Sequence, residues 1–413
     1  MITNKRYIAP EDTEKTVRSW HFWKGRPALS IKHSFNPFMK TNTILRTKTA
    51  APPPPLKIHH HHHHHHPYIL SGPIQLPTSK KTAKEIAKLW NDHYQIGDWT
   101  VRVSELDVME ILQTPGTIAL GIHLPDRGIL GTILSIPLHG ISLIGEKDCE
   151  LRIVEGLVLH PHLRGRGAAG WLIGWLDHLT SAAHPTTHIW FRETCKHQQS
   201  VLPKSVVLPA ASDYVAQTTL SKLMDQYQEQ PVQVATPVPW KTVSPILHAL
   251  WESYSIVFHP EQDPTNISWW RSDIPGFPTA AILVGIARTK RIHTSLDLTL
   301  YNVVFSCFVR IQPGNPTAMK DPFWNNTEDP MCDMIREGIE AAAIAQRCDI
   351  LQVYSSSSSF GSGSGFGSGS GFGSAWNNRK WTILRKQKRK MYMYNRIPPG
   401  MGYSTMLFPY CGI

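Results

Sequence analysis

The sequence predicts a mixed α/β chain in which two units of similar order follow one another. Three observations carry this expectation. Apolar runs of strand length alternate with segments of helical periodicity. The order helix, strands, helix recurs in both halves. A length of 413 residues suits two domains, or one fold built twice, with ample core.

Residues 1–66 read as a basic N-terminal arm. Its segment "SWHFWKGRPA" carries Trp20, Phe22 and Trp23, which are too apolar for a free tail and are expected to dock on the body. The arm closes on "APPPPLKIHHHHHHHH". The prolines favour extended backbone, and His59 to His66 read as an exposed low-complexity tract that binds metal only incidentally.

The first unit is expected over residues 67–231. "TAKEIAKLWNDHY" places Ile86, Leu89 and Trp90 on one helical face. "TIALGIHL" and "GILGTILSIPLHGISLI" read as two strands joined by the turn sequence "PDRG". "CELRIVEGLVLH" is a further strand, and a helix with Leu172, Trp175, Leu176 and Leu179 on one face follows.

The second unit is expected over residues 232–413. "SPILHALWESYSIVFH" has helical periodicity, "TAAILVGIA" and "SLDLTLYNVVFSCFVRIQ" read as strands, "DPMCDMIREGIEAAAIAQRCD" as a helix and "ILQVY" as a strand. Residues 355–375 form a Ser/Gly-rich insertion expected to be a flexible linker. "RKWTILRKQKRKMYMYNR" then places six basic residues between Arg385 and Arg396. This reads as a solvated strand face or as the edge of an anionic site. The closing "MGYSTMLFPYCGI" is apolar to its last residue, as though built to be buried, whereas termini usually fray in water.

The net charge of +11 suits nucleic acid, a phosphorylated cofactor, the ribosome or an anionic membrane surface, and does not choose among them. The six cysteines lie far apart with no CxxC pair, which points to reduced thiols and away from a disulfide framework or a zinc site. There is no signal-peptide pattern and no run of 18 apolar residues, so no transmembrane segment is expected.

The chemistry concentrates in "LHPHLRGRGAAGWLIGWL", Leu159 to Leu176, where glycines and arginines meet the mouth of an apolar helix. Glycine permits close backbone approach and positive φ. Free N–H groups at a helix start, with its dipole, bind phosphate, and Arg164 and Arg166 add charge-assisted donors. Between an apolar strand and an amphipathic helix, Arg164-Gly-Arg-Gly167-Ala-Ala169 matches the R/Q-x-x-G-x-G/A loop of the GNAT acyltransferases, which holds the pyrophosphate of acyl-CoA.

Over residues 18 to the end, the chain resembles the glycylpeptide N-tetradecanoyltransferase (N-myristoyltransferase) family. The resemblance is carried, in order, by "HFWKGRPA", "VEGLVLHPHLRGRGAAG", "SVLPKS", "FHPEQDPTNISWW", "SLDLTLYNVVF" and "MYMYNRIPPGMG". It implies a duplicated GNAT-like α/β (α+β) fold, with mixed sheets flanked by helices, an N-terminal half that binds acyl-CoA and a C-terminal half that binds peptide. It further implies contacts to myristoyl-CoA from His21, Phe22 and Trp23, from Val158 and Leu159, and from Gly165, Gly167, Ala168 and Ala169 beside Arg164 and Arg166. The backbone N–H groups of Gly156 and Leu157 would form the oxyanion hole, and the C-terminal carboxylate of Ile413 would be the base.

The implied partners are proteins or peptides with an N-terminal glycine, in the cytoplasm, without a metal. The basic arm is a candidate for ribosome association, and stable nucleic-acid binding is not predicted. Two departures fall in the peptide half. "TILRKQ" replaces a glycine-rich peptide loop, and Val304 stands at a family histidine. The alternatives are a GNAT-type acetyltransferase and a non-catalytic acyl-CoA or acyl-peptide binding protein.

Overall fold

The structure is a computed structural model that describes residues 48–58, 68–138, 141–143, 151–183, 187–193, 211–222, 234–250, 256–258, 266–310, 317–318, 330–355 and 381–394. The expectations for the arm before residue 48, the histidine run, nearly all of the Ser/Gly insertion and the tail after residue 394 lie outside these residues.

The chain first forms a hairpin of β1 (Leu56–Ile58) and β2 (Tyr68–Leu70), then β3 (Ile74–Gln75) and helix α1 (Lys80–His93). Ser79 caps α1 by accepting from the Thr82 N–H, and the helix buries Ala83, Ile86, Ala87, Leu89 and Trp90. Strands β4 (Gln95–Ile96) and β5 (Trp99–Val101) follow, and then α2 (Glu105–Gln113), opened by a capping box between Ser104 and Asp107. Strands β6 (Ile118–Leu124) and β7 (Gly128–Pro137) form the expected hairpin about "PDRG". The apolar run after Pro137 does not continue β7. Its later part forms a separate strand, β8 (Ile141–Leu143), although Pro137 itself pairs with Arg152 and the Leu138 N–H still donates to Leu151 O at 2.8 Å. Strand β9 (Leu151–Leu159), a short 3₁₀ turn (Pro161–Leu163), helix α3 (Ala168–Ala183), β10 (Thr187–Glu193) and β11 (Ala211–Lys222) complete this half.

The second half repeats the order. It runs β12 (Ala235–Pro237), α4 (Trp240–Leu250), β13 (Ile256–Phe258), β14 (Ile267–Asp273), β15 (Ala280–His293), β16 (Thr299–Arg310), β17 (Thr317–Ala318), α5 (Pro330–Ala345), β18 (Ile350–Ser355) and β19 (Trp381–Tyr394). Within "SPILHALWESYSIVFH", the described residues to Leu250 are helical. Ile256–Phe258 of it is the strand β13, which pairs antiparallel with β8.

Most strands join one mixed sheet in the order β12-β14-β15-β16-β18-β11-β19-β10-β9-β7-β6-β3. Helices flank it, as the sequence predicts. In the first half Ile86, Trp90, Leu134 and Val158 pack on one face, and Trp171, Leu172, Leu120, Ile122 and Ile133 on the other. In the second half α4 covers Trp269, Leu283 and Phe305, and α5 covers Ile282, Val284, Leu351 and Val353. Both faces of the central strands are therefore covered, which is why they read as continuous apolar runs in sequence.

The halves are stitched by exchanged strands. β19, from the end of the chain, lies between β10 and β11, and β11, from the first half, lies between β18 and β19. At the other side β5 pairs with β15, and the Arg102 N–H donates to Lys290 O at 2.8 Å. The two halves also share a finer feature. β9 and β10 run parallel for three residue pairs, as do β16 and β18, each pair connected through a helix. In both, the first strand carries a bulge a few residues beyond that pairing.

Candidate functional site

The first-half bulge creates the site. On β7 two steps separate Thr132 from Leu134, while on β9 three separate Val158 from Glu155, so β9 holds one extra residue. Gly156 and Leu157 thus stand outside the paired register with β7. On the other side, β9 pairs with β10 only as far as Ile153 opposite Ile189. The two parallel strands part there, and the backbone of Gly156 and Leu157 stands in the opening.

Gly156 is required at its position. Its φ is +58°, the left-handed region. A Cβ there would collide with the indole of Trp90 and stand 2.7 Å from Leu134 Cδ1. The bulge is held from below by a buried relay. Trp90 Nε1–H donates to Thr132 Oγ1 at 2.9 Å, and the Thr132 hydroxyl donates to Gly156 O at 2.7 Å. Trp90 and Thr132 are fully buried, so neither bond competes with water. The sequence reading treats Trp90 as core and does not single out Thr132. Its one signal was a hydroxyl, one of two with Ser135, amid the apolar residues of "GILGTILSI".

The closed end of the opening is braced by Arg152. This buried guanidinium donates from Nε to Ser135 Oγ at 2.7 Å, and from Nη2 to Gly116 O at 2.6 Å and Ser135 O at 2.9 Å. It ties β9 to β7 and to the turn before β6, just where β9 still pairs with β10.

At the open end, β9 runs into the glycine loop. Gly165 and Gly167 have φ of +75° and +80°, and a Cβ at either would meet nothing within 4 Å. Gly167 O accepts the first helical bond of α3, from Trp171 N–H at 3.0 Å. The N–H groups of Ala168, Ala169 and Gly170, in the first turn, have no partner within the helix itself. The loop therefore has an open side, a row of backbone donors and the positive end of a 16-residue helix. Ala168 is buried under the loop and Ala169 half-buried, while Val158 packs into the core below and Leu159 is half-buried at the strand end.

Arg164 has a use the sequence did not disclose. Its Nε donates to Leu159 O and its Nη2 to His93 O, both at 3.0 Å. The second bond satisfies a carbonyl at the C-terminus of α1, where a cation is also favoured by the dipole. Arg164 thus clamps the loop to α1, and Arg166 is a half-buried cation of the loop. His160 N–H donates to Leu130 O at 2.8 Å, which fixes the strand end beside the β6–β7 turn.

Among the expected site residues, the structure brings together Gly156, Leu157, Val158, Leu159, Arg164, Gly165, Arg166, Gly167, Ala168 and Ala169 along one strand, loop and helix start. His21, Phe22, Trp23 and Ile413 lie outside the described residues. Among the described residues, no group of three His, Cys, Asp or Glu side chains is arranged to hold a metal ion, and no helix is long and apolar enough to cross a membrane.

No protein-family model matches the sequence, and no curated protein matches it. Solved structures do. The chain is similar to Saccharomyces cerevisiae N-myristoyltransferase with bound myristoyl-CoA, at 12% identity and a TM-score of 0.56, over 95% of this chain and 98% of that one. A second structure of the yeast enzyme, with bound myristoyl-CoA and inhibitors, aligns at 13% identity and a TM-score of 0.57, over 91% of this chain and 89% of the other. The fold is thus shared across nearly the whole length at very low identity.

Proposed function

We propose that this protein is an acyl-CoA-dependent N-acyltransferase that moves a tetradecanoyl group from myristoyl-CoA to the N-terminal glycine amine of proteins or peptides. One observation carries the reading: the Gly156–Leu157 bulge stands where β9 parts from β10 and leads within ten residues into the phosphate-ready loop of α3. The shared fold with structures that hold myristoyl-CoA supports it.

In this reading the loop N–H groups and Arg166 hold the diphosphate of the donor, while Arg164 keeps the loop seated on α1. The acyl thioester enters the opening between the strands. Backbone N–H groups of Gly156 and Leu157 donate to the thioester oxygen as negative charge develops on it. They are held in place by the Thr132–Trp90 relay, so little reorganisation is needed in the transition state. The glycine amine, once deprotonated, attacks the thioester carbon; the C–N bond forms, the C–S bond breaks, and CoA leaves as the thiol. The base is the carboxylate of Ile413, and His21, Phe22 and Trp23 contact the donor from the entry segment.

A GNAT-type acetyltransferase is the second reading, favoured by the close match of Arg164–Ala169 to the generic acyltransferase loop. A competition assay separates the two. The protein is mixed with equal acetyl-CoA and myristoyl-CoA and with peptides beginning Gly-x-x-x-Ser or Ala-x-x-x-Ser, and products are read by mass spectrometry. A C14 adduct on glycine peptides alone is expected. An acetyl adduct would move the protein to the second reading, and no adduct with myristoyl-CoA still bound would make it a binding protein.

A further inference from the structure

β19 lies in the middle of the sheet, yet its stretch Arg385–Lys390 holds five cations in six positions and no carboxylate. Central strands of a sheet covered on both faces are ordinarily apolar, as Ala280–Ala287 of β15 is here. The neighbouring strands do not balance the charge. β18 is uncharged, and the carboxylates of β10 and β11, Glu193 and Asp213, are each matched within their own strand by Arg192 and Lys222.

The strand register places this block between two gaps. β9 and β10 pair only as far as Ile153 opposite Ile189, and the free stretch of β10 pairs on its other side with β19, Trp190 with Tyr392 and Glu193 with Arg389. β16 and β18 pair only as far as Asn302 opposite Gln352. The rest of β18 reaches the same strand through β11, where Val353 is in register with Thr218 and Lys386, and Ser355 with Ala216 and Lys388. The two free stretches therefore meet end to end along β19, one over Lys386–Lys388 and the other over Arg389–Tyr392. The row that closes the second gap is polar, with Asn302, Gln352, Thr219 and Arg385 in register across four strands. Asn302 is 4% exposed, and its Oδ1 has no hydrogen-bond partner among the described residues. A buried acceptor is costly to leave unpaired, so this position calls for a donor.

We propose that the acceptor is an acidic peptide, whose Asp or Glu residues are taken by Arg385, Lys386, Lys388, Arg389 and Lys390 as it crosses β19, and which gives a backbone N–H to Asn302 at the second gap. The proposal rests on the acyl-transfer reading above, in which the N-terminal glycine lies at the Gly156–Leu157 bulge. From β10 to β18 is three strand spacings, about 14 Å, which an extended chain covers in about four residues. The acidic residues therefore stand about three to six places from the peptide's start. Two features favour a peptide over a polyphosphate chain. The cationic block is only about 20 Å long and is bounded in sequence by the apolar ends Trp381–Leu384 and Met391–Tyr394. The orphan at Asn302 is an acceptor, which a peptide N–H satisfies and a phosphate oxygen does not.

The test is titration of the full-length protein, read by fluorescence anisotropy, with C-terminally labelled peptides that begin with glycine and carry Asp, Asn or Lys across those positions, at low and at high salt. CoA binding is measured alongside by calorimetry. The Asp peptide is expected to bind about 10-fold more tightly than the Asn peptide and more tightly still than the Lys peptide, with the differences shrinking in salt. The variants Lys388→Gln/Arg389→Gln and Lys386→Gln/Lys390→Gln, each checked by thermal unfolding, are expected to lower the preference for Asp while CoA affinity stays unchanged. Equal binding of the three peptides by the unaltered protein, a preference left intact in both folded variants, or a folded variant that loses CoA instead would overturn the acidic acceptor and leave the acyl-transfer reading standing. Stronger binding of a labelled oligouridylate than of the Asp peptide, lost in the same variants, would likewise overturn it in favour of RNA. Failure of CoA and of every peptide to bind would overturn both readings.

Discussion

Replacing Gly156 with alanine tests the oxyanion reading at its most constrained atom. A left-handed φ of +58° costs a non-glycine residue about 1–2 kcal/mol. The added methyl must also displace the Trp90 indole and the Leu134 methyl that lies 2.7 Å away, both fully buried. Overpacking of that kind costs about 1–3 kcal/mol, so the sum is about 2–5 kcal/mol, a large part of a domain's net stability. Relief comes by moving β9 outward, which shifts the Leu157 N–H from the position where it meets the developing charge; a displacement near 1 Å lowers turnover by about 100-fold. The matching control is Gly165→Ala, which meets the same φ strain with nothing within 4 Å and loses only the strain of about 1–2 kcal/mol. Urea unfolding of each full-length variant, with turnover of the acyl donor, reads both effects. If Gly156→Ala were as stable as Gly165→Ala and turned over the donor as fast as the unaltered protein, the bulge would not be the constrained, charge-facing element argued for it.

Three further outcomes are expected. Arg152→Met removes the donors to Ser135 and Gly116 O and lowers stability by about 3 kcal/mol in urea unfolding, since hydrogen bonds from a buried charge are lost together. Arg164→Ala frees the loop from α1 and weakens acyl-CoA affinity in calorimetry by about 10-fold, whereas unchanged affinity would mean that the clamp does not shape the phosphate site. Asp107 links the halves by pairing with Lys290; burial raises its pKa, but the hydrogen bonds from Lys290 and Ser104 outweigh that and hold it below the usual carboxylate range. Its contribution is complete above the unfolded value near 3.9 and is lost as pH falls through the lower folded value, so Asp107→Asn flattens the acid limb of a stability–pH curve.

Much of the candidate site is legible in the sequence because it is contiguous. Leu159 to Ala169 carries its own glycines, arginines and helix start, and short-range backbone chemistry suffices to read a phosphate loop there. The helices α1, α3, α4 and α5 show the same way through 3.6-residue periodicity. The separate strands β8 and β13 do not, because an apolar run has no period that separates strand from helix, or one strand from two.

What the sequence alone determined is therefore local: alternating strands and helices, a doubled order, and a cationic glycine loop before an apolar helix. Only tertiary structure decided the rest. The interleaving of β11 and β19 pairs residues more than 150 apart, such as Val215 with Arg389. The Trp90–Thr132–Gly156 relay, the seat of Arg164 on His93 O, and the meeting of His93 with His160 likewise join distant segments. No periodicity or turn rule records which strands pair or which helix end meets which loop. Those choices follow from covering both faces of a single sheet and from satisfying the polar groups that such burial encloses.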